Sequence, residues 1–241
     1  MSTKPSYLDT FPTIDPGRRL VIPVSPMPGE GLPELVMRAA SVNGYTATST
    51  VLHVAGLSGR YPAGIATNAI GHEELLASTL GVEGGKETIV ELVYKPVFGR
   101  PGWHQFFGTP MRIAHREVLR RRISPLALRR SNHARAIWSV KVLSFDPETK
   151  ETLIAKCPEC QNWLGYGRSY GVNCCGLCLG EDGEGFIQSR IDLRDFPQPL
   201  VEVDDMEALD FVTGLIDPNP EVRSSFRPVL PDSLRHYSRG E

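Results

Sequence analysis

The chain has few cysteines, little net charge and no apolar leader, and each scarcity excludes something. There are only five cysteines in 241 residues, and an odd number rules out a fully paired disulfide framework. Met1 to Leu20 is polar and proline-rich, with no run fit for a signal peptide or a membrane span. The expectation is a cytoplasmic protein with no membrane partner, in a compartment where thiols stay reduced. Catalytic signatures are missing too. No Walker-type loop is present: the glycines at 165, 167 and 171 lack a Lys-Ser or Lys-Thr pair and a following helix. His72-Glu73-Glu74 lacks the second histidine of a zinc-protease helix, because position 76 is Leu. Six scattered histidines form no catalytic constellation. An enzyme is not expected.

What the cysteines do form is two C-x-x-C knuckles, Cys157-Pro-Glu-Cys160 and Cys175-Gly-Leu-Cys178, separated by fourteen residues. Two knuckles at this spacing can wrap one zinc ion in four thiolates, as in a zinc ribbon. A four-sulfur shell leaves no open position for water, so the predicted ion is structural. Cys174 is the spare, and it stays open as the third ligand in place of Cys175, although C-x-x-C is the commoner spacing.

Net charge is only −2, but the two signs are segregated. Between Lys95 and Lys141 the basic residues are mostly arginine, and Glu117 is the sole acid. From Glu181 to Asp210 acids dominate, with Arg190 and Arg194 against them. Segregation of this kind speaks of partners rather than fold. Arg100, Arg112, Arg116, Arg120, Arg121, Arg122, Arg129, Arg130, His133 and Arg135 are the candidate nucleic-acid contacts. Arginine's bidentate fork suits phosphate better than lysine does. Trp103, Phe106 and Phe107, interleaved with this basic run, can stack on nucleotides or anchor a loop on the core. The acidic segment can dock a basic partner, mask the arginines or simply solubilise the chain end.

Twenty prolines and twenty-three glycines predict short elements joined by turns. A helix is expected from Leu32, with Leu35, Val36, Ala39 and Ala40 on one face and Asn43-Gly44 as its stop. Others are expected over Thr48–Leu57, His72–Gly81 and Glu87–Tyr94, a helix-turn-helix-like pattern or a plain bundle. His115–Arg122 reads as a basic helix, Trp138–Phe145 and Glu151–Ala155 as strands, and 165–171 as a hairpin tip. A last helix carries Met206, Leu209, Phe211, Val212 and Leu215 behind an Asp204 or Asp205 cap. The predicted fold class is α+β, mainly helical. Its divisions are an extended arm (1–27), a helical domain (28–97), a basic segment with a degenerate zinc-ribbon-like module (98–155), a four-cysteine zinc ribbon (156–182), and an acidic helix with a flexible tail (183–241).

Two features resemble the TniQ family of transposition proteins. One is Pro26-Met27-Pro28-Gly29-Glu30-Gly31-Leu32, followed by a helix carrying Arg38 and ending in Asn43-Gly44. The other is the segment from Ile123 to Cys178, where that family places two successive zinc modules. Together with Leu76–Val82 the resemblance spans roughly residues 22 to 180. The family's first module has Cys-Pro-x-Cys-Leu and Cys-Pro-x-His knuckles. Here Ser124-Pro125-Leu126-Ala127-Leu128 and Asp146-Pro147-Glu148-Thr149 stand in their places, all four ligands absent. The expectation is a module held by its hydrophobic core without metal, with His133 facing surface or DNA. The resemblance implies a non-catalytic target-selection adaptor that binds DNA, RNA or a guide-RNA complex and recruits an AAA+ ATPase and its transposase. The alternative is a zinc-ribbon transcriptional or phage regulator with no ATPase partner. Self-association as a homodimer stays open.

Overall fold

The structure, a computed structural model, describes residues 18–181, 187–218, 222–223, 226 and 229–233. Most of the expected arm (1–17) and parts of the acidic segment and tail lie outside the described residues. Helix α1, Leu32–Val42, begins with Pro33 in its first turn and buries Leu32, Leu35, Val36, Ala39 and Ala40. Asn43 closes it, and Gly44 follows at φ 74°. The chain entering α1 is held by an ion pair. The Arg38 guanidinium donates to both carboxylate oxygens of buried Glu30 (2.8 and 2.7 Å) and to the Ser25 carbonyl (2.6 Å). Glu30 also accepts the Met27 N–H at 3.0 Å. Opening a buried, fully bonded pair by removing one partner costs about 3–5 kcal/mol. The proline-glycine-glutamate motif is therefore a clasp for α1.

Four further helices complete this half: α2 (Ser49–Val54), α3 (Ile65–Asn68), α4 (Glu73–Leu80) and α5 (Gly85–Leu92). Gly81, left-handed at φ 66°, ends α4, and its N–H reaches the Ala77 carbonyl at 2.9 Å. Helix α2 is shorter than expected, though Ala55 and Leu57 beyond it are still buried. Helix α3 has no counterpart in the sequence reading.

Strands β1 (Trp103–Phe106) and β2 (Thr109–Arg112) form an antiparallel hairpin. Residues 95–97 run along β1, with the Gln105 and Val97 amides donating to the Lys95 and Trp103 carbonyls at 2.8 and 2.9 Å. The expected helix at His115–Arg122 is absent. A 3-10 turn spans Ile113–His115, and the following residues pair with distant segments: Glu117 N–H to Ser139 O (2.7 Å), Arg121 N–H to Leu164 O (2.8 Å) and Ile123 with Ile154 in both directions. Those partners are remote in sequence, so local periodicity could not reveal them. The expected strand at Trp138–Phe145 opens instead as a 3-10 turn, Ala136–Ser139, and Glu151–Ala155 contributes single bridges only.

Helix α6 is Pro125–Arg130, β3 (Leu179–Glu181) and β4 (Ile187–Ser189) pair beyond the second knuckle, and α7 is Met206–Leu215. The Asp205 carboxylate caps α7 by accepting the Ala208 N–H at 2.8 Å. Seven helices and two small antiparallel sheets among the described residues make a mixed helix-and-sheet fold. One core joins α1–α5, the hairpin and Leu209 of α7, while a second gathers Trp138, Leu128, Leu164 and Val172 around Cys157 and Cys175. Among the described residues no helix is long and apolar enough to cross a membrane.

Candidate metal centre and nucleic-acid interface

The four knuckle sulfurs converge. All lie within 4.8 Å of one another, with Cys157–Cys178 at 3.7 Å and Cys160–Cys175 at 3.8 Å. A tetrahedral shell with metal–sulfur bonds of about 2.3 Å has sulfur–sulfur edges of about 3.8 Å. The donor set therefore fits a thiophilic ion, and none of these cysteines is disulfide-bonded. Cys174 is outside the cluster, so the structure groups Cys175 with the other three. Burial pushes the Cys157 and Cys178 thiols up. At Cys160 burial also raises the thiol, but hydrogen bonds from Asn162 outweigh it and bring it to about 7.

The first module has the hydrophobic packing expected of it, with Ile123, Ala127, Leu128, Ala134 and Trp138 buried in one core, and a polar network beside it. Asp146 N–H donates to Glu151 O (2.8 Å) and Lys150 N–H to Asp146 O (2.8 Å). In the first cysteine knuckle, Cys157 N–H donates to Asn162 O (2.9 Å) and Gln161 N–H to Cys157 O (3.0 Å). Lys150 and Gln161, at the same place in each turn, both have left-handed backbone, φ 61° and 57°. Asp146–Glu151 is thus a knuckle turn whose Asp146 and Thr149 occupy the positions of Cys157 and Cys160. Where the second turn has thiols, this one has a buried polar network. Asp146 accepts from the Thr149 N–H (2.8 Å) and the Trp138 indole (2.7 Å), and Arg135 lies 3.6 Å away. Glu151 accepts from the Ser124 hydroxyl, the Leu126 N–H (2.7 Å) and the Gln198 N–H (2.9 Å). Ser124 in turn caps α6, accepting the Ala127 N–H at 3.0 Å. Buried polar groups this fully bonded stabilise, whereas each orphan would cost about 1–3 kcal/mol.

The structure divides the basic candidates. Arg121 is 2% exposed, and its guanidinium donates to the Val172 and Cys174 carbonyls. Arg122 donates to the carbonyls of Trp138, Val140 and Leu143. Arg116 is buried over the Tyr94 ring, 4.1 Å from its centroid. Arg135 is bonded to Asp146 and Glu148. His133, expected at the surface, is buried with its Nε2 2.9 Å from the Pro28 carbonyl oxygen. These five are committed to the interior and its margins. Arg100, Arg112, Arg120, Arg129 and Arg130 are exposed, and Arg130 faces Glu148 at 3.9 Å.

Four exposed cations lie against two tryptophans. The Arg100 and Arg112 guanidiniums lie 5.4 and 5.3 Å from the Trp103 ring centre. Arg120 lies 3.6 Å from the Trp163 ring centre, and the Lys156 ammonium 4.7 Å from it. Among the described residues, none of these four cations has a carboxylate within 4.0 Å. Each cation–π contact contributes about 0.5–1 kcal/mol at an exposed site, enough to orient a side chain that stays open to an anion. Phe106 and Phe107, by contrast, are buried with Tyr94, ring centres 4.9–5.6 Å apart, and anchor the hairpin. The sequence reading missed Trp163 and Lys156. Their signal was an aromatic three residues beyond a knuckle cysteine, flanked by a lysine just before the knuckle.

Helix α5 turns Lys86, Glu87 and Glu91 outward, a face with more acid than base. No protein-family model matches the chain, and no curated protein is similar to it.

Proposed function

We propose that this chain is a non-catalytic nucleic-acid-binding adaptor of the TniQ kind, with one structural zinc ion in the Cys157, Cys160, Cys175 and Cys178 site. The carrying observation is the set of four exposed cations held over Trp103 and Trp163, with no carboxylate of the described residues within 4.0 Å of them. The Glu30–Arg38 clasp supports the resemblance, because the residues that carry it bind one another directly. Zinc is favoured by the all-thiolate tetrahedron. The α4–α5 pair, helix-turn-helix-like in sequence, serves in this reading as scaffold, since α5 presents more acid than base to solvent. DNA, or a guide complex lying on DNA, binds through the cations of the hairpin and of the ribbon. The rest of the molecule is left to engage an AAA+ ATPase that brings a transposase.

Binding across a salt series tests this. If four side chains reach phosphates of a duplex, log affinity falls against log salt with a slope of about −3.6. The double variant Arg100→Ala/Arg120→Ala should reduce that slope by about 1.8. Affinity that ignores both salt and substitution overturns the reading. Co-purification with an AAA+ ATPase separates the adaptor from a free-standing regulator.

A further inference from the structure

We propose that the loop 97–103, with Trp103 and Arg112 behind it, is a stacking site for unpaired bases, so that this face prefers single-stranded nucleic acid to an intact duplex. The proposal rests on the nucleic-acid reading above and specifies which polymer it takes. Phe98 at the loop's tip is fully exposed. The loop that presents it is tightly built. Val97 N–H donates to Trp103 O (2.9 Å), Arg100 N–H to Val97 O (3.1 Å) and Trp103 N–H to Arg100 O (3.1 Å). Gly99 and Gly102 take left-handed backbone at φ 71° and 76°, which lets so short a loop close. Beneath it the hairpin is fixed to the core by Phe106 and Phe107. Trp103 stands directly opposite Arg112 in the β1–β2 register, with Arg100 on the loop also beside its ring. A rigid support therefore holds two aromatic side chains, one wholly in water, among cations.

The chemistry selects the partner. Cations alone would serve a duplex, whose base faces are stacked away, and would leave Phe98 in water. Unpaired bases offer both a phosphate for Arg100 and a ring face for Phe98. Aromatic rings and arginine are also enriched at protein interfaces, so a protein anchor is the rival outcome that the test must separate. Here the exposed ring has Lys95, Arg100 and Arg112 around its loop and hairpin, all exposed. Trp163 under Arg120 is a second platform of the same composition on the ribbon.

The experiment compares fluorescence anisotropy of oligothymidylate and of a duplex of equal length, at one salt concentration, on the full chain. Phe98→Leu keeps an apolar side chain but removes the ring face, and Phe98→Trp keeps a ring. Both sit in solvent, so neither threatens folding. The expected result is tighter binding of the single strand, weakened about tenfold by Phe98→Leu, retained by Phe98→Trp, with less than about twofold change on duplex. Equal loss on both polymers, or no loss on either, overturns the stacking site. In the second case a normal salt slope on duplex leaves the broader nucleic-acid reading standing, whereas no binding to either polymer removes both. If Phe98→Leu weakens only co-purification with an ATPase, the ring is a protein anchor and the proposal falls.

Discussion

Arg121 and Arg120 are neighbours with opposite fates, and nothing in their sequence separates them. Arg120 lies in solvent over an indole, while Arg121 is enclosed and binds two backbone carbonyls of the segment between the knuckles. Composition counted both as a polyanion contact, because it registers charge and not the direction of a side chain. The difference is measurable. Arg121→Ala removes charge-assisted bonds worth about 1.5–3 kcal/mol each and strands their carbonyl partners. It should cost about 3 kcal/mol or more in chemical denaturation. The salt slope of binding should stay unchanged, whereas Arg120→Ala should lower that slope and leave stability within about 0.5 kcal/mol.

Glu34 makes a second residue-scale case. It is buried, accepts the Tyr166 hydroxyl at 2.6 Å, and burial raises its carboxyl above the usual 4.5, with that hydrogen bond and the Arg116 charge opposing. A carboxyl raised on folding binds its proton more tightly in the folded chain. Its contribution is complete below 4.5 and is lost as pH climbs from there through the folded value. Thermal melts between pH 4.5 and 8 should show wild type losing stability relative to Glu34→Gln, which keeps the acceptor and has no proton to lose. Parallel pH profiles for the two would refute this.

At the scale of elements, helices were the legible part. Those with their own capping and stop residues, α1, α4 and α7, appear where apolar spacing and glycine or aspartate place them. What failed, besides the short α3 and α6, was whatever depends on a distant partner. The 116–123 segment has helical spacing of arginines but an irregular, non-helical backbone, because the carbonyls at 139, 154 and 164 take its amides. The twin knuckles lay between these cases. That the 146–151 turn carries no thiol was plain in the sequence, but the network that fills it was not, because it needs Glu151 and Trp138 as well as Asp146 and Thr149. Its independence of metal is testable by hydrogen exchange. With a strong chelator the amides of 157–178 should lose protection, while Thr149, Lys150 and Glu151 keep theirs. Asp146→Ala, which strips the Trp138 indole and the Thr149 amide of their acceptor, should destabilise the chain by about 3 kcal/mol and leave the metal content intact.

At the scale of the molecule, the stretch expected as a hairpin tip, 165–171, is a joint. The Tyr166 side chain reaches Glu34 of α1, the Ser169 hydroxyl donates to the Met37 carbonyl (2.8 Å), and its N–H donates to Thr46 O (2.9 Å). The Thr48 N–H returns a bond to Gly167 O at 3.1 Å. Metal removal should therefore lower the melting temperature of the whole chain in a single transition, and Tyr166→Phe should cost about 1–2 kcal/mol while weakening that coupling. Two separate melting transitions in the chelated protein would argue against it.

Because the span between the two pairs of thiols is also what leans on the first helix, an ion held there would do more than brace a small lobe: it would fix a ruler. Without it Arg120 and Lys156, beside Trp163, would lose their set distance from the helices, whereas Arg100 and Arg112, on a hairpin seated in the helical core, would keep theirs.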